Sequence, residues 1–290
     1  MAPVRRRRGP SAGWLAGVGA EDERHLESCG ARPWVFPGVV PVADPKDAEW
    51  LISSLDQRWA QTRSTSTTVA SMVPDHFQGY ARIFHPVPPF IVGAVEDRAV
   101  RTTGPRALAW AEVAANTGRI LHAGTQFHRL ATAAPGHDAG TSEVAFAPPP
   151  AETPPEIVTL LAAQLSPYTT TPDKCWFALW EGYGDLFPSE PGSFYDGPAR
   201  VVLPARTYLL YSGPVEAATA FARPTSPHSP TLWWPEDLAW FVGSDPDLDS
   251  TYLGADDSAV DGVVSLPGIE AIRTVPGQRV TFDSDDLNVD

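Results

Sequence analysis

The chain has 290 residues, of which 43% are hydrophobic and 19% are charged, and this composition is typical of a globular protein. Its formal net charge is −14, and residues 235–290 alone carry thirteen acidic residues against two arginines, a net charge of −11. Such a surface repels phosphate backbones and anionic membranes, which excludes nucleic acid and membrane as partners and favours a basic protein partner. Two cysteines are too few for a disulfide framework, so we expect a reducing, cytoplasmic compartment.

The N-terminal part of the chain has four consecutive arginines at residues 5–8, within glycine-rich and charged sequence, which predicts a disordered tail over residues 1–32. An N-terminal α+β half is expected over residues 33–147. Its first helix is predicted at residues 45–59, with Asp44 as the N-cap and Pro45 in the first turn. The remaining predicted elements of this half are a strand at 80–85 and helices at 105–116 and 126–132.

A proline-rich segment at residues 148–155 is predicted to be a linker, because prolines at this density block both helix and sheet. A C-terminal α+β half follows over residues 156–290. Its predicted elements are helices at 156–166, 215–221 and 256–265 and strands at 175–181, 206–211, 231–234, 238–243 and 270–275. The order of these elements predicts an α+β fold, with a mostly antiparallel sheet and a few helices packed on it.

Three aspartates at alternate positions, Asp245, Asp247 and Asp249, form the sharpest candidate site. Carboxylates spaced in this way can cage a hard cation such as calcium, and in a twelve-residue calcium loop they would take positions one, three and five. The match fails at position six, which is Ser250 instead of glycine, and at position twelve, where Asp256 replaces the longer glutamate. The alternative interpretation is an ordinary turn. Asp249, Ser250 or Thr251 would cap a short turn, and Asp256 or Asp257 would cap the helix after it.

Other carboxylates stand beside aromatic residues at predicted strand ends. Glu181 and Asp185 follow the tryptophan-rich strand CWFALW, and Glu236 and Asp237 lie in the turn of the predicted hairpin. Acids beside aromatic platforms are typical of sugar sites, so a glycan-directed hydrolase with a cleft lined by Trp180 and Trp233 is one hypothesis. The sequence contains no His-Glu-x-x-His or Cys-x-x-Cys motif that would indicate zinc. It also contains no Gly-x-Ser-x-Gly motif between a predicted strand and a predicted helix, the position that a serine nucleophile would need.

Three motifs carry a resemblance to known sequences: Trp-Glu-Gly-x-Gly at residues 180–184, a tyrosine-rich strand that ends in Gly-Pro at 213–214, and Trp-Trp-Pro at 233–235. In these motifs, over most of residues 74–290, the chain resembles a family of conserved hypothetical proteins from high-GC bacteria. The resemblance implies no activity. In its acidic composition and strand tryptophans the chain also resembles, more distantly, the immunity-type binding proteins of bacterial toxin systems.

Two functional hypotheses follow from the sequence. The first is a non-enzymatic acidic binding protein of immunity-like type that engages a basic protein partner and needs no cofactor. Its binding residues would be the carboxylates at the predicted strand ends, which are Glu181, Asp185, Glu236, Asp237, Asp245, Asp247 and Asp249. The alternative is a hydrolase with an acidic cleft, in which Asp245, Asp247 and Asp249 could bind calcium. A concave pocket that contains a carboxyl of raised pKa would favour the hydrolase.

Overall fold

The computed structural model describes residues 36–57, 67–89, 106–137, 146–183, 197–223 and 226–289. The predicted disordered tail at residues 1–32 lies outside these ranges. The structure confirms the predicted α+β class, because a large antiparallel sheet carries a few short helices. No helix in the described ranges is long and apolar enough to cross a membrane.

Nine strands of the described chain form one sheet, in which every neighbouring pair is antiparallel. The strands in the described residues are β1 (Val40–Pro41), β2 (Gly79–Phe84), β3 (Cys175–Trp180), β4 (Arg200–Val202), β5 (Thr207–Gly213), β6 (Ala222–Arg223), β7 (Ser226–Pro227), β8 (Leu232–Pro235), β9 (Trp240–Gly243), β10 (Ser250–Ala255) and β11 (Glu270–Thr274). The order across the sheet is β1-β5-β3-β8-β9-β10-β2-β11, with β4 also paired to β5, and β6 and β7 form a separate two-stranded pair.

Both faces of the sheet are buried, as the two-sided apolar pattern of its central strands predicts. In β3, Phe177 and Leu179 point to one apolar cluster, whereas Trp176 and Ala178 point to another on the opposite face. The first cluster is covered by helices α4 (Pro155–Leu165) and α5 (Asp257–Val264) and by a 3-10 helix at Val215–Phe221. The second is covered by shorter segments, namely 3-10 helices at Pro45–Ala48 and Val69–Ser71 and helix α1 at Leu51–Ser54.

The predicted hairpin is confirmed, since β8 and β9 pair with Trp233 opposite Val242. Its aromatic residues divide between the two faces: Trp233 meets Trp240 edge-on at 5.1 Å in one cluster, and Trp234 stacks on Phe241 at 5.5 Å in the other. This alternation accounts for most of the aromatic density by packing alone. The strand predicted at 238–243 begins later, at Trp240, because Leu238 lies in the turn with φ 55° and is 37% exposed.

The prediction of one helix over residues 45–59 is also wrong in length. Asp44 caps the first turn as expected, accepting a hydrogen bond from the Lys46 amide at 3.1 Å. The helical structure then breaks into two short pieces and ends at Ser54. The Ser53 and Ser54 hydroxyls both donate to the Trp50 carbonyl, which offers the backbone an alternative to helical hydrogen bonding.

Strand β10 was not predicted from the sequence, where residues 249–251 appear only as possible caps of a turn. The strand pairs along its whole length with β2 on one side and along part of it with β9 on the other. The prediction of a helix after it is confirmed, and Asp256 is its N-cap, accepting from the Ala259 amide at 2.7 Å. Strands from both predicted halves therefore share the sheet; the division at residues 148–155 stays a prediction.

A third, smaller cluster packs helices α2 (Trp110–Thr117) and α3 (Phe127–Leu130) against the end of β2. Helix α2 ends at Gly118, which has the left-handed φ of 69° that a glycine C-cap favours. The C-terminal segment, residues 278–289, crosses from the second cluster to this third one. It is held there by the Asp285 carboxylate, which accepts a hydrogen bond from the Gln126 amide at 3.1 Å.

Candidate functional site

The loop between β9 and β10, residues 244–249, is called the acidic loop below and contains the three predicted aspartates. Arg206, which directly precedes β5, reaches this loop although β3 and β8 separate β5 from β9 in the sheet. Its Nε and Nη2 atoms donate to the two carboxylate oxygens of Asp245 at 2.9 and 2.7 Å. The same Nη2 donates to Asp247 Oδ2 at 2.7 Å. The structure therefore brings Asp245 and Asp247 together around one guanidinium group.

Asp249 points elsewhere. Its Oδ1 accepts from Arg82 Nη2 at 3.3 Å, and the buried Arg82 also donates to the Ser250 hydroxyl at 2.9 Å. Asp245 and Asp247 thus share Arg206, whereas Asp249 pairs with Arg82, although the three aspartates stand at alternate positions in the sequence. No group of three or more His, Cys, Asp or Glu side chains that could hold a metal ion occurs in the described residues.

The Arg206 guanidinium takes the central position that a cation would need between Asp245 and Asp247. Burial alone would lower the pKa of Arg206, but its hydrogen bonds and charge pairing with the two aspartates outweigh burial and raise it well above its ordinary value. The guanidinium also lies 5.1 Å from the Trp180 ring centroid, within cation–π range. Arg206 is therefore a fixed positive charge, and a calcium ion would have to displace it to gain two carboxylates.

A cavity of about 210 Å³ opens beside the acidic loop and is called the Arg206 cavity below. Asp247 and Phe282 line it and are highly exposed, at 81% for the Asp247 side chain and 74% for Phe282, so they lie at its mouth. Tyr208 and Gln57 line it but are almost fully buried, so they lie at its floor. The apolar part of the wall comes from buried residues, which include Met72, Leu232 and Val280.

Tyr208 is the buried ionisable group of this cavity. Its exposure is only 3%, and burial, reinforced by the nearby charge of Asp245, raises the pKa of its hydroxyl above the ordinary value of 10.0. The hydroxyl therefore keeps its proton at neutral pH and acts as a hydrogen-bond donor. The cavity thus has an anionic mouth and a neutral floor that can donate hydrogen bonds.

The other predicted carboxylates lie apart from this cavity or outside the described residues. Glu181 borders a shallow groove next to Arg206 and accepts from Arg200 Nε at 2.6 Å. Glu236 and Asp237 lie in the turn of the β8–β9 hairpin, at the opposite end of β9 from the acidic loop. Glu236 pairs there with Lys174. Asp185 falls outside the described residues.

Asp237 accepts several hydrogen bonds that fix its position in the hairpin turn. Burial alone would raise its pKa, but hydrogen bonds from Thr169, Thr170 and the Ala239 amide outweigh burial and lower it. The Thr169 and Thr170 hydroxyls donate at 2.7 Å each. The carboxylate is thereby engaged in joining the hairpin turn to the segment before β3.

The two tryptophans of the hydrolase hypothesis do not line one cleft. Trp233 is buried in the core, whereas Trp180 borders the same shallow groove as Glu181 and has the Arg206 guanidinium over its ring. A carboxyl whose pKa is raised does occur, but it belongs to Glu270, where burial has this effect. Glu270 lies on β11 at the far edge of the sheet and accepts from the Ala111 amide at 2.8 Å, at the start of helix α2.

Sequence reasoning missed Arg206 and Tyr208 as site residues. Both stand in the segment RTYLLY, which reads only as a two-sided apolar strand. The one local signal was a basic residue at the start of a buried strand, and its aspartate partners lie 39 and 41 residues further along the chain. Pairing over such a separation follows from the order of strands in the sheet, which periodicity does not determine.

Comparison with protein-family models, with curated proteins and with solved structures gives no match to this chain.

Proposed function

We propose that the protein is a non-enzymatic binding protein of immunity-like type, and that its acidic loop binds a basic group of a protein partner. The observation that carries this proposal is the surplus carboxylate at the mouth of the Arg206 cavity. Asp245 already meets Arg206 with both oxygens, which balances the guanidinium charge. Asp247 adds a second negative charge that is 81% exposed, so the three side chains together have a net charge of −1.

The mouth has a second feature suited to a cation. Phe282 is highly exposed and stacks on the His128 ring at a centroid distance of 3.7 Å, which fixes the orientation of its ring. An arginine or lysine side chain that pairs with Asp247 would meet this aromatic surface at the same opening, and aromatic faces attract cations within about 6 Å. A carboxylate and an exposed phenylalanine at one mouth therefore favour a basic partner over a neutral one.

The pairing of other acidic residues in the C-terminal part also favours Asp247 as the residue that binds the partner. Asp257 and Asp261 pair with Arg273, and Asp283 pairs with Arg279, so these carboxylates already have cationic partners within the chain. The net negative charge then acts mainly at long range, where it speeds the approach of a basic partner more than it deepens affinity. A cytoplasmic location, expected from the low cysteine content, belongs to the same proposal.

A hydrolase is the alternative proposal, and one observation favours it: two carboxylates line a concave cavity. A glycoside hydrolase also needs a carboxyl that stays protonated to donate a proton to the leaving group. The carboxyl of raised pKa in the described residues is Glu270, at the other edge of the sheet. The binding proposal is therefore preferred.

The test uses an acetylated and amidated tri-lysine peptide as the basic probe, with the same peptide acetylated on every side chain as its neutral control. Binding to the ¹⁵N-labelled full chain is followed by chemical-shift titration at about 50 mM salt, where screening is weak. Asp247→Asn is expected to weaken binding of the basic peptide about two- to fivefold, the range of an exposed ion pair.

Asp261→Asn is the matched control, because Asp261 is also an exposed carboxylate, paired with Arg273 at 2.7 Å. This variant should bind the peptide as wild type does. The same three proteins, used as baits in a lysate of the source organism, would identify a partner that is retained by wild type and Asp261→Asn and lost by Asp247→Asn. Equal affinity of wild type and Asp247→Asn for the tri-lysine peptide would refute the proposal.

A further inference from the structure

The floor of the Arg206 cavity presents hydrogen-bond donors without acceptors. Tyr208 is 3% exposed, lines the cavity, and its Oη makes no hydrogen bond to any described residue. Gln57 is 7% exposed and lines the same cavity. Its Oε1 accepts from the Ala205 amide at 3.2 Å, which assigns the orientation of the carboxamide. The Gln57 amide nitrogen, which carries two protons, is left without an acceptor among the described residues.

Donors that reach a cavity and have no acceptor in the protein can bind the acceptor of a ligand in place of water. In the described residues, the side-chain atoms that are sealed from solvent and lack a partner are Trp50 Nε1, Tyr211 Oη and Thr274 Oγ1. The donors of Tyr208 and Gln57 differ from these because they lie on a cavity. A molecule that enters the cavity can therefore reach them.

The chemistry of the floor selects the class of ligand. An ammonium or guanidinium group only donates hydrogen bonds, so it could not use the Gln57 amide protons and would lie beside the Arg206 charge. A carboxylate could accept from Tyr208 and Gln57, but it would lie beside Asp245 and Asp247, which outnumber Arg206. A neutral acceptor, above all a carbonyl oxygen, meets the donors without either repulsion. The cavity of about 210 Å³ is large enough for such a group, since a water molecule takes about 30 Å³.

We infer that the Arg206 cavity is a binding site for a neutral amide carbonyl, held by the Tyr208 hydroxyl and the Gln57 carboxamide. The inference concerns the same cavity as the proposed function but a different ligand group, because the cation binds at the mouth and the carbonyl at the floor. A partner that fits both would present a basic residue beside a backbone or side-chain amide. The floor site itself does not require the partner to be basic.

The test uses N-methylacetamide as the probe and the single internal methionine as the reporter. The chain has two methionines, Met1 and Met72, and Met72 lines the cavity, so ¹³C-methyl labelling of methionine gives a direct signal from the site. N-methylacetamide is expected to shift the Met72 methyl resonance saturably. Tyr208→Phe keeps the ring but removes the donor, and should weaken this binding about three- to tenfold, the worth of one hydrogen bond.

Tyr211→Phe is the matched control. Tyr211 lies on the same strand but faces the opposite cluster, and its hydroxyl is buried without a partner. This variant should bind N-methylacetamide as wild type does. Methylammonium chloride, a probe without an acceptor, should give no saturable shift of Met72. The inference is overturned if N-methylacetamide gives no saturable shift, if Tyr208→Phe binds it as tightly as wild type, or if methylammonium binds equally well.

Asp247→Asn separates this inference from the proposed function. The variant is expected to lose affinity for the tri-lysine peptide and to keep its affinity for N-methylacetamide. If the peptide does not bind at all and N-methylacetamide binding still depends on Tyr208, the proposed function fails and the floor site stands. If the peptide binding depends on Asp247 and Tyr208→Phe changes nothing, the floor site fails and the proposed function stands.

Discussion

Replacing Asp285 by asparagine should detach the C-terminal segment from helices α2 and α3. The Asp285 carboxylate is fully buried. One oxygen accepts from His122 Nε2 at 2.9 Å, the Asn288 amide at 3.0 Å and the Leu287 amide at 3.3 Å. The other accepts from the Gln126 amide at 3.1 Å and from Asn288 Nδ2 at 2.9 Å. A single neutral side chain cannot reproduce this set, because an asparagine has one acceptor oxygen and an NH₂ group that would face donors.

The magnitude follows from the donors that lose their acceptor. In Asp285→Asn the Gln126 amide and the Asn288 carboxamide would meet the new NH₂ group. Each buried donor without an acceptor costs about 1–3 kcal/mol, so the two together should lower the free energy of unfolding by about 2–6 kcal/mol. Asp283→Asn is the control, because its carboxylate is 59% exposed and pairs with Arg279, and an exposed pair contributes at most about 1 kcal/mol.

The pKa of Asp285 determines how its contribution to the free energy of unfolding changes with pH. Burial alone would raise the pKa of Asp285, but hydrogen bonds from Asn288, Gln126 and His122 outweigh it and lower the pKa from 3.8 to about 2. A carboxyl whose pKa is lowered by folding stabilises the protein above its unfolded pKa and loses this contribution as pH falls through the folded value. The difference in unfolding free energy between wild type and Asp285→Asn should therefore be full above about pH 4 and shrink between pH 4 and 2.

Urea unfolding at pH 7, 5, 4 and 3 measures this difference, and hydrogen exchange at the Gln126 and Asn288 amides detects local release of the segment. Local release would raise exchange at these two amides even where global unfolding is little changed. A difference between Asp285→Asn and Asp283→Asn below about 0.5 kcal/mol at pH 7, with unchanged exchange, would refute the reasoning, since surface substitutions fall in that range.

Two further outcomes are expected for buried polar groups. Arg82→Met should lower the unfolding free energy by about 3–5 kcal/mol in urea titrations, because it leaves Asp249 without its cation and removes the donor that lies 2.6 Å from the Thr125 carbonyl. Arg273→Met, at an exposed ion pair, is the control and should cost below about 1 kcal/mol. Equal losses in the two variants would contradict this assignment. In a Cys29→Ser background, Cys175 should resist iodoacetamide at pH 8 until the protein unfolds, because burial raises the pKa of its thiol to about 12; alkylation of the native protein at the rate of a free thiol, seen by mass spectrometry, would contradict it.

Local pattern predicted much of the fold. The two-sided apolar runs in β3 and β5, the hairpin around Glu236 and the cap at Asp256 all depend on residues that are near in sequence, and the structure has them. Strand β10 was not predicted, because Gly254 and the hydroxyl-rich residues at its start interrupt the apolar pattern. Its burial comes from β2 and β9 on either side, and neither neighbour is visible in a local window.

The candidate site was predictable in part. The spacing of Asp245, Asp247 and Asp249 correctly marked a charged loop after a strand, but the same spacing suggested a common ligand. Two arginines divide the three carboxylates, and each arginine comes from a different strand region, Arg206 before β5 and Arg82 within β2. Which cation meets which anion depends on the order of strands, so no reading of the loop alone could have assigned these partners.

The position of β2 between β10 and β11 sets an order for folding during synthesis. Its register pairs Phe84 with Ser250 and Glu270, so the strand has no neighbour until residues 166 and 186 positions later have been made. At about 5–20 residues per second, translation alone imposes a delay of roughly 10–40 s. Through that interval an apolar strand stands with both edges unpaired, which is the condition under which chains aggregate or recruit chaperones. The sheet therefore forms late in synthesis, and the nascent chain is most prone to aggregation before β10 and β11 have been made.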